Sequence, residues 1–505
     1  MAFLTSIVSW LQVKRIEQIN LYKNYPFDIQ SETLYKLLQM GQDTEWGKMY
    51  NFSKINNYQD FKNALPITDY NTLKPYINRI MKGDQNVLWP TPIKWFAKSS
   101  GTTEDKSKFI PVSKEALEEC HFRGGKDVYS LYTNINPNTT IYNGKALALG
   151  GSHEICNLSL DSYYGDLSAI LMQNLPFWVE FYRTPDLSIA LMDEWERKLE
   201  LMALETMNED VTHLAGVPSW TLILFKKILE ITGKSTINEV WPNFELFIHG
   251  GVNFTPYREQ FKKILLPEKT KYFETYNASE GFFAIQDNLE TDDMLLMLDL
   301  GVFYEFIPIQ DVLKTNPRVI SLEDIEIGEN YALIITTNSG LWRYMIGDTV
   351  TFTQKFPFKI KITGRTKHFM NAFGEEVIIE NADNALSFAC EKTGAIISEY
   401  TAAPLFMSEN SKGAHQWLIE FEKMPHAMHE FTESLDTKLK SINSDYEAKR
   451  YKDLALSKPQ VISMKKGVFY EWMKLKGKLG GQHKVPRLAN NRTIAEEIIS
   501  INEKL

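Results

Sequence analysis

The run Ser99-Ser100-Gly101-Thr102-Thr103-Glu104-Asp105-Lys106-Ser107-Lys108 packs hydroxyl side chains round a glycine and follows them with two lysines. Backbone N–H groups, hydroxyls and ammonium groups from such a loop can converge on phosphate oxygens. A second run, Tyr276-Asn277-Ala278-Ser279-Glu280-Gly281, supplies an aromatic face for a purine, a hydroxyl, and a carboxylate able to hold Mg²⁺. In Trp342-Arg343-Tyr344-Met345-Ile346-Gly347-Asp348, Gly347 permits a tight turn and Asp348 emerges at a strand end, where its carboxylate can accept both hydroxyls of a ribose. One strand later, Arg365 in Thr363-Gly364-Arg365-Thr366-Lys367 can bring a guanidinium fork to the same nucleotide. The last candidate is Lys484, in the basic stretch 465–492. It comes after Gly480-Gly481 and precedes Pro486-Arg487, so a loop that is free on one side and restrained on the other can carry it to a distant centre.

Taken singly, each of these has a plainer explanation. A Ser/Thr/Gly-rich turn is a common capped loop, and the G-x-x-x-x-G-K-[ST] phosphate loop is absent. A tyrosine followed by a turn glutamate occurs at many core strands, and Gly-Asp makes hairpin turns. Arg365 reads equally as an inter-domain salt-bridge residue, and the basic stretch as a solvated face. Arg123, at the start of a helical region after the first loop, is open between a contact to an acid's carboxylate and an ordinary surface position.

The elements that must position these residues have an α/β pattern. Ile93–Ala97 reads as a strand and Ser113 as the cap of a helix starting at Lys114, which puts the phosphate loop between strand and helix, with Pro111 stopping the strand-like 108–110 segment. Short apolar runs at 146–149 and 245–248 alternate with helical patterns at 192–207 and 220–231. Segments 331–337, 341–346, 349–353 and 358–363 read as an antiparallel meander with a turn at Asn338-Ser339-Gly340. Beyond Arg365 the pattern restarts with a strand at 377–379, helices near 381–393 and 428–442, a strand at 415–422, and a polar tail. The expected fold is therefore a large N-terminal domain, residues 1–365, with layered α/β and meander parts, and a smaller mobile α+β domain, residues 366–505.

A chain of 505 residues exceeds what one core supports, and 44% apolar residues suffice to fill two. The formal charge of −9 argues against a general nucleic-acid binder. Cys120, Cys156 and Cys390 form no C-x-x-C pair, which speaks against a zinc site or disulfide framework and for a reduced, cytoplasmic setting. The apolar stretch 3–11 lacks a preceding basic region and is followed by Lys14 and Arg15, so the expectation is a docked amphipathic helix with no secretion signal and no membrane span.

Read together and in order, these residues resemble the auxin-responsive acyl-acid amido synthetases of plants and bacteria, within the adenylate-forming group that includes acyl-CoA ligases and luciferase. The resemblance covers nearly the whole chain. Ser99 to Thr103 is similar to the phosphate loop, Tyr276 to Glu280 to the adenine and magnesium segment, and Arg343 to Asp348 to the ribose motif. Gly364-Arg365 is similar to the hinge, and Lys484-Val485-Pro486-Arg487 to the C-terminal lysine motif. His249-Gly250-Gly251-Val252 resembles the glycine-bearing wall of the nucleotide pocket, although two glycines equally make only a turn. Glu104-Asp105 stand where many relatives carry glycines, and His368 to Glu376 resembles the bacterial branch, so plant substrate rules do not transfer.

The resemblance implies a ligase that uses ATP and Mg²⁺ to adenylate a carboxylic acid and then passes the acyl group to an amine or amino acid. It implies a catalytic pair in Lys484 and Glu280, with Ser99, Ser100, Gly101, Thr102, Thr103, Lys106, Gly251, Tyr276, Ser279, Asp348 and Arg365 holding nucleotide. Two rivals remain open from sequence: a ligase that uses coenzyme A as acceptor, and a protein that binds ATP or AMP without turnover. The acid, the amine and the oligomeric state have no local signature.

Overall fold

A computed structural model of the protein describes residues 2–505 apart from 101–106, 150–155, 160–161, 193, 252–253, 255–256, 313, 367–368, 408–411, 452–455 and 477–484; side chains at 2–12, 100, 107, 156–159, 178, 195, 219, 259, 369 and 380 are also outside the description. The chain divides into two compact units. One comprises Met1–Lys98, Phe109–Gly251 and Phe261–Thr366, the other Ser99–Lys108, Val252–Gln260 and Lys367–Leu505.

Among the described residues, fifteen strands come in chain order up to Arg365: β1 (Trp95–Ser100), β2 (Ser107–Val112), β3 (Lys145–Ala148), β4 (Cys156–Ser159), β5 (Ser162–Gly165), β6 (Arg183–Thr184), β7 (Val211–Ala215), β8 (Leu246–His249), β9 (Lys271–Ala278), β10 (Gly281–Gln286), β11 (Met294–Leu296), β12 (Val302–Pro308), β13 (Asn330–Thr337), β14 (Tyr344–Gln354) and β15 (Lys359–Arg365). Eleven of them form one sheet in the order β12-β13-β14-β15-β11-β10-β9-β8-β7-β3-β6. From β6 to β9 all neighbours are parallel; from β9 onward all are antiparallel. The sequence pattern explains the change. The parallel strand β8 reads Leu-Phe-Ile-His and is buried throughout, as a strand covered on both faces must be. By contrast β14 alternates buried and half-buried positions over much of its length.

Several sequence expectations are refined by this topology. The loop after β1 leads not to a helix but to β2, its neighbour in a separate sheet of order β2-β1-β5-β4. Pro111 does not stop β2, which runs on to Val112. Ser113 does cap the helical segment after it: its Oγ accepts the Ala116 N–H at 3.0 Å and donates to the Asn338 carbonyl at 2.6 Å, tying the turn at 338–340 to the helix. The two strands expected at 341–346 and 349–353 are one, because a bulge absorbs the break: Ala332 pairs with Thr349 but Ile334 with Met345. Gly347, at φ +95°, occupies that bulge.

In the second unit, β18 (Ile396–Leu405), β19 (Ala414–Lys423) and β20 (Gln460–Met464) form a sheet after the short pair β16 (Phe369–Met370) and β17 (Val377–Ile378). The helix Met428–Ile442 buries Phe431, Leu435 and Leu439 at helical spacing and packs against Ile379–Thr393. The expected polar tail is instead β20 and two helices, Val468–Leu475 and Thr493–Lys504. They bury Val468, Phe469, Trp472, Ala495 and Ile498 with Leu418 of β19.

Burial in the first unit also suppresses the charge of histidines. His121 and His213 are both pushed down to about 4 by burial. An unfolded histidine takes up its proton near pH 6.5, so between these values the unfolded chain binds more protons and acid favours unfolding. Stability is full above about pH 6.5, declines on acidification and levels off below about pH 4. Between pH 7 and pH 5 the protein should lose about 2 kcal/mol more stability than a His121→Phe variant. Urea midpoints at the two pH values check this; equal losses would contradict it.

Candidate active site

β9 is the strand at which the sheet changes from parallel to antiparallel, and Tyr276 lies near its carboxyl end. Asp348 lies four places away in strand order, on β14. In a flat sheet four spacings amount to roughly 19 Å, far beyond the reach of a tyrosine. Yet Tyr276 Oη donates to Asp348 Oδ2 at 2.6 Å, so the antiparallel half curls back on itself. Arg365 Nε donates to the other carboxylate oxygen, Oδ1, at 2.7 Å. This second contact is set by register, because Asp348 and Arg365 are directly opposed across β14 and β15.

Asp348 is thus not at a strand end, as expected from Gly347-Asp348, but inside β14, immediately after the bulge. The Thr366 N–H donates to the Gly347 carbonyl at 2.8 Å and extends the pairing past the end of β15. Burial governs the electrostatics. Together with the Asp348 charge it holds the Tyr276 hydroxyl well above the ordinary phenol range, so the phenol remains a donor. Burial opposes the charge of Arg365, but Asp348, as neighbouring charge and hydrogen-bond partner, together with Glu280 and Tyr276 raises Arg365 above its ordinary value. Glu280, half-buried in the turn between β9 and β10, adds to the field felt by Tyr276, Tyr344 and Arg365. Tyr276, Glu280, Asp348 and Arg365 therefore share one electrostatic neighbourhood, and Ser279 stands beside Glu280 in the same turn.

Gly251 comes two residues after β8 with φ +80°, a left-handed backbone that suits glycine; its neighbour Gly250 is required by space, since a Cβ there would fall 2.5 Å from the Thr275 carbonyl. Ser99 is half-buried on β1, and Ser100 ends that strand. Gly101, Thr102, Thr103, Lys106 and Lys484 lie outside the described residues, as do Glu104, Asp105, Lys367 and His368.

Two arginines near the motifs have partners within the fold. Arg123 is engaged by Asp299, with Nη2 to Oδ2 at 2.8 Å, in a cluster where Arg15 also bridges Asp127 and Asp299, so it is an ion-pair residue of the body. Arg343, inside the ribose motif, is buried and forks onto Glu305 of β12 at 2.9 and 2.8 Å while donating to the carbonyls of Lys62 and Leu65. It anchors the start of β14. The motifs alone do not point to Glu305, although a lone carboxylate in the apolar strand Val-Phe-Tyr-Glu-Phe-Ile-Pro is itself a signal, because a buried charge requires a partner.

Residues 15–269 match the GH3 family N-terminal domain, 295–365 the GH3 family central domain and 380–493 the GH3 family C-terminal domain. The chain belongs to the GH3 family. It is 22% identical to the indole-3-acetic acid-amido synthetase GH3.3 of Arabidopsis thaliana, over 93% of this chain and 90% of that protein. It is 24% identical to the jasmonoyl-L-amino acid synthetase JAR6 of Nicotiana attenuata, over 67% of this chain and 69% of that one. Among solved structures, the GH3.15 acyl acid amido synthetase shares the fold with a TM-score of 0.59 at 19% identity, covering 94% of this chain and 93% of its own. A 2-hydroxyisobutyryl-CoA ligase in its thioesterification state shares it with a TM-score of 0.57 at 11% identity, covering 95% and 92%. This GH3 chain is an acyl-acid amido synthetase, a ligase.

In this GH3 protein Tyr276→Phe leaves one oxygen of a buried carboxylate without its donor. A hydrogen bond to a charged group contributes about 1.5–3 kcal/mol, so the variant should unfold at lower urea with a loss of about 2 kcal/mol. An unchanged midpoint would show that Asp348 does not depend on the phenol.

Proposed function

We propose that this enzyme joins a small carboxylic acid to an amine, of which amino acids are the leading class, in two half-reactions at one nucleotide site centred on Asp348. The observation that carries the reading is the convergence of Tyr276, Glu280, Asp348 and Arg365, drawn from separate strands and one turn, on a single neighbourhood. Asp348 has the chemistry to accept the two ribose hydroxyls, and its orientation is already held by a phenol and a guanidinium. Tyr276 flanks the base, Gly251 and Ser279 line the nucleotide, and Ser99, Ser100, Gly101, Thr102, Thr103 and Lys106 take the phosphates.

In the first half-reaction an oxygen of the acid's carboxylate bonds to the α-phosphorus of ATP and the bond to the bridging oxygen breaks, releasing pyrophosphate. In the second, the amine nitrogen bonds to the acyl carbon, the bond to AMP breaks, and the nitrogen gives up its proton. Two anions meet in the first step, so positive charge must gather where the phosphoryl charge develops. Lys484 is assigned that task. Among the described residues no three His, Cys, Asp or Glu side chains gather into a metal cage. A single carboxylate beside phosphate oxygens is a common way to hold Mg²⁺, and Glu280 suits that part. When bound, the ion would neutralise phosphoryl charge.

The division of labour is proposed as adenylation by residues 1–365 and a mobile domain from 366 to 505, turning about Arg365-Thr366-Lys367 between the half-reactions. The passage of the chain from one compact unit to the other at Thr366 and Lys367 supports a hinge there. Cys120 and Cys390, both free, are in keeping with a reducing, cytoplasmic setting.

ATP–pyrophosphate exchange over a library of acids, followed by mass spectrometry with mixed amino acids or coenzyme A, tests the reading. Exchange dependent on one acid class and an amide product are expected. Lys484→Ala should slow exchange about a hundredfold, with ATP affinity changed far less. Wild-type exchange in that variant would refute the role of Lys484, and a thioester as the sole product would refute the amide.

A further inference from the structure

Between the Ser113 cap and the α-helix Phe122–Ile135, residues Ala116–His121 wind as a π-helix. A single π turn inside an α-helix disturbs its hydrogen-bond ladder and occurs mostly where a side chain has to be aimed. Here the side chain aimed is that of Cys120. Its Sγ accepts the backbone N–H of Phe282 at 3.2 Å. Burial pushes this thiol up to about 12 although the Phe282 N–H pulls the other way, so it is neutral and no nucleophile. One turn further on, a Cβ at Gly124 would fall 2.5 Å from Phe282 Cγ, so the helix is glycine where it lies against that ring.

Phe282 needs such holding. It is two residues beyond Glu280, at the start of β10, opposite Asn277 of β9. The register of the pair then slips, because Ala284, not Phe283, is opposite Tyr276. On the other side β11 pairs with Ala284, Ile285 and Gln286, and just beyond it the Met297 N–H donates to the Phe283 carbonyl at 2.8 Å. The tip of the hairpin, which carries Ser279 and Glu280, therefore has a bulge behind it and no β11 pairing beside it. A bulged strand end is free to twist, and a small rotation there swings a turn side chain by ångströms.

We propose that Cys120 and Gly124 are positioning residues for Glu280: together they fix Phe282 and thereby the aim of the turn carboxylate toward the metal ion of the nucleotide. The proposal rests on the assignment of Glu280 as the metal-holding group. It gives the π turn a task distinct from stability, since Cys120 is the last residue but one of that turn and its thiol receives a main-chain N–H from β10 of the large sheet.

The test compares Cys120→Ala, Cys120→Ser, Gly124→Ala and Glu280→Gln with the wild type by two readouts independent of turnover. One is hydrogen–deuterium exchange of the peptide spanning 279–284 without metal or nucleotide. The other is Mn²⁺ affinity of the ATP complex by electron paramagnetic resonance. Cys120→Ala should speed exchange at Phe282 and weaken Mn²⁺ binding by about fivefold, the equivalent of one lost neutral hydrogen bond, and Cys120→Ser, which keeps an acceptor, should restore both. Gly124→Ala, which pushes the ring instead of freeing the N–H, should weaken Mn²⁺ as well. If Glu280→Gln weakens Mn²⁺ while Cys120→Ala and Gly124→Ala leave it unchanged, the positioning role is overturned and the metal assignment survives. If Glu280→Gln leaves Mn²⁺ unchanged, the metal assignment falls and the proposal with it.

Discussion

One carboxylate organises the first unit. Asp348 receives a phenol from β9 on one oxygen and a guanidinium from β15 on the other. A buried carboxylate with only one partner would be costly, whereas one held at both oxygens is oriented and still has lone pairs for a ligand. The curl of the antiparallel strands, the bulge at Gly347 and the direct opposition of Asp348 and Arg365 all serve that arrangement. The parallel half ends at β9, and the antiparallel half begins there. The cluster therefore joins the strand at which the pairing changes to the antiparallel half.

A second charge pair supports the first. Arg343 and Glu305 are both almost fully buried and joined by two hydrogen bonds, and Arg343 adopts φ +46°, a left-handed backbone unusual for a side-chain-bearing residue. Such strain persists only where the surroundings impose it. Here they do, through two carbonyls of the 62–65 segment and the fork on Glu305. The start of β14 is thereby pinned, and the next five residues deliver Asp348 into the cluster. Within one short motif, one charged residue has a structural duty and another belongs to the proposed nucleotide site.

Much of this is legible in the residues. The helix Met428–Ile442 and the strand at β19 can be read from apolar spacing, and the Ser113 cap from its position before an apolar helix. The illegible parts depend on long-range pairing. Nothing local in Gly347-Asp348 says that the strand continues through it, because the bulge is defined by its partner β13. Nor can Arg123 be told from a substrate contact, since Asp299 lies 176 positions away. The π turn at 116–121 has an ordinary helical sequence and becomes visible only when Cys120 meets Phe282. The C-terminal segment passes for a polar tail because Val468, Phe469 and Trp472 are flanked by Lys465, Lys466, Lys474 and Lys476, whose charges dominate the composition of that stretch.

The account stands on a single mononucleotide lying against Asp348. A crystal structure of the enzyme with a non-hydrolysable acyl-adenylate analogue tests it most directly. The account predicts both ribose hydroxyls within hydrogen-bond distance of the Asp348 carboxylate, with Tyr276 and Arg365 keeping their present contacts to it. An adenylate bound elsewhere, with Asp348 still enclosed by Tyr276 and Arg365 alone, would contradict it.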